Sequence, residues 1–406
     1  MATLVVTLPP GLPRETALAF ARAARRGGAD RLEVRTDLHR GAIDAPALAR
    51  ELPLLVAERG EPAEPAWLAS AAVVDRPLGD GRPAEVLSLH AEGPLSPAKA
   101  LQIWSARPPP AGVHLKHVEP LGDLADAKRL LVTQQQLGDR FGAKLVTVLA
   151  TGTLALPFRC VLAQTNALDY VALDAGWSAA PGQRLLAEAI RERRQGRGGS
   201  RFGILGAALR HSRSPCVHRQ PFDRIELPAD TDLPALLAAL QPWYAGFAVT
   251  NPFKRAAAEI ARTALPAVNT LLRTPDGWRS ANTDLAGAGA ALLRLGGGAL
   301  TILGEGGASV ALREACRSLD RPASVRRRRE QFEAPLEGTL VWTWPAHLAP
   351  PAGLRFRHAR VGVIAYGVPG RQVADQIRKL GGSPVALGAR WFVAQARGQR
   401  KLWGLP

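Results

Sequence analysis

Eight short apolar runs, each followed by a polar or Gly/Pro break and an Ala/Leu-rich stretch, divide residues 1–190. The runs are Leu4–Leu8, Leu32–Thr36, Leu54–Ala57, Ala71–Asp75, Val86–His90, Val113–His117, Lys144–Leu149 and Tyr170–Leu173. Strands that alternate with helical stretches indicate parallel βα units, and eight such units with short helices can close into a (β/α)8 barrel. The pattern alone also permits an open doubly wound sheet. We expect an α/β fold whose first domain, residues 1–190, is the barrel.

A polar stretch rich in arginine and glycine separates this region from the rest of the chain. Residues 191–201 have the composition of a solvated linker. A new strand is predicted from Phe202, and a strand, a glycine turn and a helix start are predicted from Leu300. The sequence therefore predicts further α/β units after the barrel.

The composition and the apolar runs indicate a soluble protein without membrane spans, disulfides or a metal site. Hydrophobic residues make up 47% of the 406 residues, as in a soluble globular protein, and no apolar run reaches the roughly 18 residues of a membrane span. The amino-terminal stretch lacks the basic segment of a signal peptide. Three cysteines, Cys160, Cys216 and Cys316, lie too far apart for a disulfide framework or a metal site. We expect a cytoplasmic protein with no metal and no membrane partner.

The formal net charge of +17 has three interpretations. It can reflect a composition rich in arginines that stand singly on helix faces. It can steer anionic small molecules into a positive cleft, or bind nucleic acid. Because no zinc-finger, RNP-type or basic-zipper pattern accompanies the charge, we expect no nucleic-acid partner.

Polar side chains stand at the ends of the apolar runs, where a (β/α)8 barrel holds its chemistry. A lysine on an inward strand face is costly to bury as a cation, and as a neutral amine it attacks a carbonyl. A histidine could then remove a proton beside the imine carbon, and arginines could hold a carboxylate. Taken singly, a strand lysine is more often a surface residue, and a lone histidine is more often structural. The candidates are Glu33, Arg35, Arg59, Ser88, His90, His114, Lys116, Arg159 and Gln183.

Several segments in this region resemble type I 3-dehydroquinate dehydratases. They are Arg31-Leu-Glu33-Val-Arg35-Thr-Asp37, Ser88-Leu-His90, Val113-His-Leu-Lys116, Pro157-Phe-Arg159 and Ala180-Pro-Gly-Gln183. The resemblance spans nearly all of residues 1–190 in family order. It implies that Lys116 forms an imine with the substrate, that His90 acts as base and acid, and that Glu33 orients His90. The residues implied to hold the substrate are Arg35, Arg59, Arg159 and Gln183.

A second set of polar residues follows the linker. Lys254 and Asp284 form a natural acid/base pair for a carbonyl oxygen that becomes an alcohol, and Asn269 and Thr250 could read hydroxyls. The alternative is a surface lysine with a turn-forming Asn-Thr-Asp. Two more hydroxyls, Ser212 and Ser214, stand before a predicted helix and could simply cap it.

These segments resemble shikimate dehydrogenase. They are His211-Ser-x-Ser-Pro, Val249-Thr-x-Pro-Phe-Lys, Ala267-Val-Asn-Thr, Asn282-Thr-Asp and Gly388-x-x-Trp-Phe-Val-x-Gln395-Ala, in family order. The resemblance implies that residues 202–285 plus 380–406 bind the substrate and that Lys254 and Asp284 are catalytic. The residues implied to bind the substrate are Ser212, Ser214, Thr250, Asn269, Tyr366 and Gln395.

A Rossmann-like NADP-binding domain is expected over residues 286–379. A glycine turn that opens a helix lets backbone amides approach a pyrophosphate. The arginine run after the next strand suits an adenosine 2′-phosphate, so NADP(H) is favoured over NAD, although a solvated charge cluster is the alternative. The region is shorter than in the family, and Tyr366-Gly-Val-Pro replaces its Tyr-Asn-Pro-like motif. The candidate cofactor residues are Gly304, Gly306, Gly307, Ala308, Ser309, Arg327 and Arg328.

Together the two resemblances imply a bifunctional enzyme of the shikimate pathway. The barrel would dehydrate 3-dehydroquinate to 3-dehydroshikimate, and the second half would reduce that product to shikimate with NADPH. The expected partners are these small anionic substrates, and fusion of both halves is compatible with a monomer. Three alternatives stay open: a fusion with one active half, an imine-forming aldolase-like barrel joined to another reductase, and a non-catalytic basic binding protein on the same folds.

Overall fold

A computed structural model describes residues 2–39, 43–174, 176–180, 182–195, 200–209 and 212–406. Two compact units divide the chain: Met1–Gly203 with Arg219–Tyr244, and Ile204–His218 with Ala245–Pro406. No helix among the described residues has both the length and the apolar character needed to cross a membrane. Likewise, no group of three or more His, Cys, Asp or Glu in the described part of the chain could hold a metal ion.

The first unit contains an eight-stranded parallel sheet in the order β7-β6-β5-β4-β3-β2-β1-β8. Its strands are β1 Thr3–Thr7, β2 Arg31–Arg35, β3 Leu54–Ala57, β4 Ala71–Pro77, β5 Val86–His90, β6 His114–Pro120, β7 Val146–Thr151 and β8 Leu168–Val171. Each predicted apolar run is a strand, shifted by at most a few residues. The first and last strands, β1 and β8, are paired although they are far apart in sequence. The predicted barrel is therefore confirmed, and the alternative of an open doubly wound sheet is not.

Helices cover the outside of this sheet. They are α1 Arg14–Gly27, α2 Ala45–Glu51, α3 Pro65–Ser70, α4 Pro97–Ala106, α5 Leu124–Phe141, α6 Ala155–Leu162 and α7 Leu186–Gln195. Successive side chains of a strand point to opposite faces of the sheet. Leu32 and Val34 pack outward against the helices, whereas Val5, Leu55 and Tyr170 pack inside the barrel. The polar residues that alternate with the outward set therefore face the barrel interior.

A backbone hydrogen bond and the side chain of Asn166 join the two edge strands of the barrel. The Ala167 amide donates to the Val146 carbonyl, 2.9 Å away. The Asn166 carboxamide takes the place of a strand residue, accepting from the Val148 amide at 2.8 Å and donating to the Val148 carbonyl at 2.9 Å. Gln134 donates to the same Asn166 oxygen at 2.6 Å. Asn166 is 2% exposed, so it closes the seam where water cannot replace it.

A buried ionic network extends the first unit beyond the barrel. The Arg201 guanidinium pairs with Asp223 at 2.7 Å and with Glu192, and the Tyr244 hydroxyl donates to Asp223 at 2.8 Å. Glu192 also pairs with Arg184. The predicted linker, residues 191–201, coincides with part of α7 and with the start of the next strand at Arg201, and residues 196–199 lie outside the described residues. The predicted domain boundaries themselves stay a prediction.

Two further five-stranded sheets follow. One has the order β10-β9-β11-β12-β13, and the other, which is entirely parallel, has the order β15-β14-β16-β17-β18. Their strands are β9 Arg201–Gly206, β10 Phe222–Glu226, β11 Tyr244–Val249, β12 Thr270–Thr274, β13 Gly277–Ala281, β14 Leu300–Leu303, β15 Ala323–Arg326, β16 Leu336–Trp342, β17 Phe356–Val363 and β18 Ser383–Ala386. Their helices are α8 Ser214–His218, α9 Leu233–Leu240, α10 Lys254–Ile260, α11 Asp284–Leu295, α12 Gly307–Ser318, α13 Gly367–Lys379 and α14 Gly388–Leu402.

The short cofactor region has a structural explanation. Parallel strands of one sheet are usually connected by a helical crossover, yet the described segments between β15 and β16 and between β16 and β17 contain no helix. Phe332 and Leu354 from these two loops pack with Trp342 and Trp344 in one buried cluster. Loop side chains thus take up positions on the sheet that crossover helices would otherwise cover.

The barrel seam yields a stability prediction. Replacing Asn166 by Ala leaves the Val148 amide and carbonyl without their partner and removes one of the two acceptors of Gln134, so the free energy of unfolding should fall by about 3 kcal/mol. Urea denaturation followed by circular dichroism measures the change. Thr165→Ala, at the exposed neighbouring position, is the matched control and should change stability by less than about 0.5 kcal/mol. Equal stability of the two variants would contradict the role given to Asn166.

Candidate active sites

The barrel interior holds a lysine among charged groups. Lys116 on β6 is 4% exposed, and its Nζ lies 3.0 Å from Asp75 Oδ2 and 3.4 Å from Glu33 Oε1. Arg59 Nη2 contacts the same Asp75 oxygen at 2.6 Å, and the Thr7 hydroxyl donates to Glu33 at 2.6 Å. The interior therefore contains two cations and two anions in direct contact.

Asp75 is a site residue that the sequence motifs did not identify. It is fully buried on β4. Burial opposes its ionisation, but the positive charges of Lys116 and Arg59 outweigh that effect and lower the Asp75 pKa. A carboxylate at the end of an apolar strand run was the available signal, because such a residue shares the carboxyl-end position of the other candidates.

His90 lies two residues beyond Ser88, which pairs in register with Lys116 on the neighbouring strand. His90 as a residue remains exposed, yet enough protein surrounds its ring that desolvation lowers the imidazole pKa, and Arg59 and Lys116 lower it further, to about 3. The imidazole is consequently neutral at pH 7 and able to accept a proton.

The other predicted barrel residues contact groups other than the lysine. Arg35 pairs with Asp37 at 2.6 Å. Arg159, on α6, is buried and donates to the Tyr170 carbonyl at 3.0 Å. The Gln183 side-chain oxygen accepts from the Ala179 amide at 2.8 Å, so in this structure it holds its own loop. Pro181 of that motif lies outside the described residues.

Tyr170 is the second residue missed by the motifs. Its ring lies over the Lys116 Nζ, 4.0 Å from the ring centroid. Tyr170 is 3% exposed, and burial followed by the charges of Asp75 and Glu33 raises the pKa of its hydroxyl well above the ordinary value. The side chain therefore stays a neutral phenol beside the lysine.

The second unit contains a cavity of about 350 Å³ that collects most of the other predicted residues. Lys254 starts α10 and Asp284 starts α11, and Lys254 Nζ lies 2.5 Å from Asp284 Oδ2. The Trp391 indole, which also lines the cavity, donates to the other Asp284 oxygen at 3.4 Å. The predicted residues that line the cavity are Ser212, Ser214, Thr250, Lys254, Asp284, Ala308, Tyr366 and Gln395.

Asn269, Ser212 and His211 differ from the other predicted residues of this unit. Asn269 is 1% exposed and does not appear among the cavity lining; its oxygen accepts from the Thr283 amide at 2.7 Å, while its Nδ2 has no hydrogen-bond partner among the described residues. Ser212 Oγ accepts from the Ser214 amide at 3.3 Å, so the predicted capping contact is present as well as exposure to the cavity. His211 of the first motif lies outside the described residues.

The glycine turn after β14 fits an anionic group. Gly304 has φ +125°, and a Cβ there would lie 2.4 Å from Thr343 Oγ1. Gly306 caps α12 with no side-chain hydrogen bond and has open space around it. Ser309, 1% exposed, has a buried hydroxyl with no partner in the described part of the chain. Free amides at a helix N-terminus and an unused donor are what a phosphate requires.

The turn lies beside the Lys254–Asp284 pair. A Cβ on Gly307 would lie 3.3 Å from Lys254 Cδ, so the first turn of α12 touches the catalytic candidate. The predicted phosphate-binding arginines are engaged: Arg327 pairs with Glu305 of the turn at 2.7 Å, and Arg328 donates to the Ala349 carbonyl at 2.5 Å. A 2′-phosphate would compete with Glu305 for Arg327.

Curated proteins that are similar in sequence to this chain are shikimate dehydrogenases, the family that the motifs of the second site resemble. No family model matches the chain. A shikimate dehydrogenase (NADP(+)) of Anaeromyxobacter dehalogenans (strain 2CP-C) is 32% identical over 190 residues, which are 42% of this chain and 68% of that protein. The corresponding protein of Chlorobium phaeovibrioides is 31% identical over 144 residues, 30% of this chain and 50% of that protein. That of Acidiphilium cryptum is 41% identical over 133 residues, 28% and 48%. The chain thus spans from about half to two thirds of the length of these relatives.

Solved structures give weaker likenesses. The dehydroquinate dehydratase and shikimate dehydrogenase from S. pombe AroM covers 99% of this chain and 95% of that one, at 19% identity and a TM-score of 0.37. The shikimate 5-dehydrogenase from Thermus thermophilus in complex with NADP(H) and shikimate covers 51% and 94%, at 23% identity and a TM-score of 0.41. This chain is 32% identical to the Anaeromyxobacter dehalogenans enzyme and covers 68% of its length. The chain therefore belongs to the shikimate dehydrogenase family.

Proposed function

We propose that the chain is a bifunctional enzyme that dehydrates 3-dehydroquinate in the barrel and reduces the resulting 3-dehydroshikimate to shikimate with NADPH in the second unit. The observation that supports the first activity is Lys116, buried against Glu33 and Asp75. The second activity is supported by family membership and by the Lys254–Asp284 pair in a cavity with the other predicted residues. A cytoplasmic location is part of the proposal.

In the barrel, Lys116 acts as the nucleophile. Its ammonium gives one proton to the ketone oxygen, and the freed lone pair forms a C–N bond with the ketone carbon. The oxygen then leaves as water with a second proton from the nitrogen, so the product is a protonated imine with one N–H. His90, neutral at pH 7, takes a proton from the carbon beside the imine carbon. The electron pair moves toward the nitrogen, and the β-hydroxyl then leaves as water with a proton from His90. A water molecule finally hydrolyses the imine and frees Lys116.

Charge around His90 is expected to change when substrate binds. In the free protein the cations Arg59 and Lys116 keep its pKa low. A bound carboxylate adds a negative charge close by, which favours the protonated imidazole. Substrate binding therefore makes His90 a stronger base at the step that needs one. Arg35 and Arg159 are the guanidinium groups that we propose hold that carboxylate.

In the second unit, Lys254 and Asp284 handle the proton. Lys254 donates to the ketone oxygen as it becomes an alcohol, and Asp284 orients Lys254. The α12 amides and Ser309 would hold the pyrophosphate, and Arg327 the 2′-phosphate. NADPH, when bound, supplies the hydride. Asn269, whose Nδ2 is buried without a partner among the described residues, is a donor for a substrate hydroxyl.

Trapping tests the barrel chemistry. With 3-dehydroquinate and borohydride, intact-mass and peptide analysis should find a reduced adduct on Lys116, and Lys116→Ala should abolish it. Lys144→Ala removes an exposed lysine and should leave the adduct unchanged. An adduct of equal yield in Lys116→Ala would exclude the proposed nucleophile.

The low pKa of His90 has a direct test. Because its folded-state pKa is depressed, the neutral form persists in acid, and the imidazole NMR signals should not titrate between pH 8 and pH 5. His90→Asn identifies the signals by their loss. A midpoint near pH 6.5, the value for an unperturbed histidine, would show that the surrounding cations do not act on this ring.

A third test concerns the reduction. Lys254→Ala should lower the rate of NADPH consumption with 3-dehydroshikimate by about 10²–10⁴-fold, the usual contribution of a general acid. Dehydration in the same variant should be unchanged. Lys379→Ala, which removes an exposed lysine of α13, serves as the control. If wild-type protein neither binds nor consumes NADPH, the reduction proposal is wrong, and the Glu305–Arg327 pair of the short cofactor region is the feature that we expect to prevent cofactor binding.

A further inference from the structure

Tyr170 contacts the one atom on which the proposed barrel chemistry takes place. Its ring centroid is 4.0 Å from Lys116 Nζ. β8 carries Tyr170 and β6 carries Lys116, so the contact crosses the barrel interior between strands that are not neighbours in the sheet. None of the sequence motifs includes Tyr170.

The ring face bears negative partial charge and attracts a cation above it. This attraction is stronger where water is excluded, and both partners here are at most 4% exposed. Glu33 and Asp75 hold the same Nζ from other directions. The nitrogen is therefore surrounded by two carboxylates and one aromatic face.

Imine formation does not remove the positive charge from this nitrogen. One proton of the ammonium passes to the ketone oxygen, the freed lone pair makes the new C–N bond, and the oxygen departs as water with a second N–H proton, so the protonated imine keeps one N–H and one positive charge. The charge is then pulled toward neutrality as the neighbouring carbon loses its proton. The nitrogen is neutral while it is bonded to a carbon that still carries the former ketone oxygen as a hydroxyl. A group that favours positive charge on Nζ therefore favours loss of that hydroxyl as water and formation of the iminium that acts as electron sink.

We propose that Tyr170 is a further catalytic residue of the barrel, and that its ring face stabilises the protonated imine on Lys116. The inference rests on the proposed dehydratase function. The ring, and not the hydroxyl, carries the role: the Tyr170 oxygen is buried with no hydrogen-bond partner among the described residues, whereas the ring is positioned by apolar neighbours such as Val5, Leu55 and Leu168.

The ring can be tested without changing its shape. Tyr170→Phe keeps the face and removes the hydroxyl, and mono-, di- and trifluorophenylalanine at position 170 then withdraw electrons from the face step by step. We expect kcat of dehydration to stay within about threefold of wild type in Tyr170→Phe, and to fall progressively to about one tenth across the fluorinated series. KM should change less than twofold, because substrate binds before its carbon is joined to the nitrogen.

A matched series controls for fluorination itself. Phe20 of α1 is 5% exposed and packs in the outer core, so the same fluorinated residues there should leave kcat unchanged. Circular dichroism and thermal denaturation check that each variant folds. Because every ring in the series has nearly the same volume, the test does not depend on an aliphatic replacement that could collapse the site.

The outcomes separate this inference from the proposed function. If wild-type protein forms no borohydride adduct, the dehydratase proposal fails. If it forms the adduct and kcat is flat across the fluorinated series at position 170, the role of the ring is wrong while the lysine chemistry stands. A loss of more than about tenfold in Tyr170→Phe, with no further loss on fluorination, would assign the role to the hydroxyl and would likewise overturn the inference.

Discussion

The barrel interior depends on balancing the charge of a buried lysine. Lys116 and Arg59 bring two positive charges into a space with little water, and Glu33 and Asp75 bring two negative charges. Loss of one member would leave a buried charge without a partner, which destabilises more than an intact pair stabilises. Conversion of the ammonium to a protonated imine keeps the number of charges constant. The carboxylates that stabilise the buried ammonium of Lys116 therefore also stabilise the positive charge of the proposed imine intermediate.

The cofactor region forms a parallel sheet in which two of the connections are short loops without a helix. Aromatic and aliphatic side chains from loops, with Trp342 and Trp344 at their centre, occupy one buried cluster on the sheet. A tryptophan at 344 also crowds the glycine turn, since a Cβ on Gly304 would lie 3.0 Å from its ring. The short connections thus fix the turn tightly, and Glu305, which this geometry places next to Arg327, adds an acid where a dinucleotide phosphate would need cations.

The sequence predicted what depends on local pattern. Strand periodicity was enough to place Glu33 and Lys116 on inward faces, and motif order brought Lys254 and Asp284 together. Tyr170 could not be found in this way, because its contact with Lys116 depends on register and on closure of the barrel, which join residues far apart in sequence. Asp75 ends an apolar run and so had a signal in the sequence, but it belongs to none of the motifs. Other residues predicted to bind ligands, such as Gln183, instead form hydrogen bonds with nearby backbone. Such short-range hydrogen bonds cannot be predicted from a sequence motif.

The two lysines differ in exposure in the direction that their proposed chemistry requires. The Lys116 side chain is 5% exposed and has two carboxylates and a ring around it, whereas the Lys254 side chain is 18% exposed and has one carboxylate. A covalent imine must be shielded, since water would hydrolyse it before dehydration. A proton donor must be recharged after every turnover, which access to an open cavity permits. Burial therefore suits Lys116 to be a nucleophile, and partial exposure beside the α12 turn suits Lys254 to be an acid.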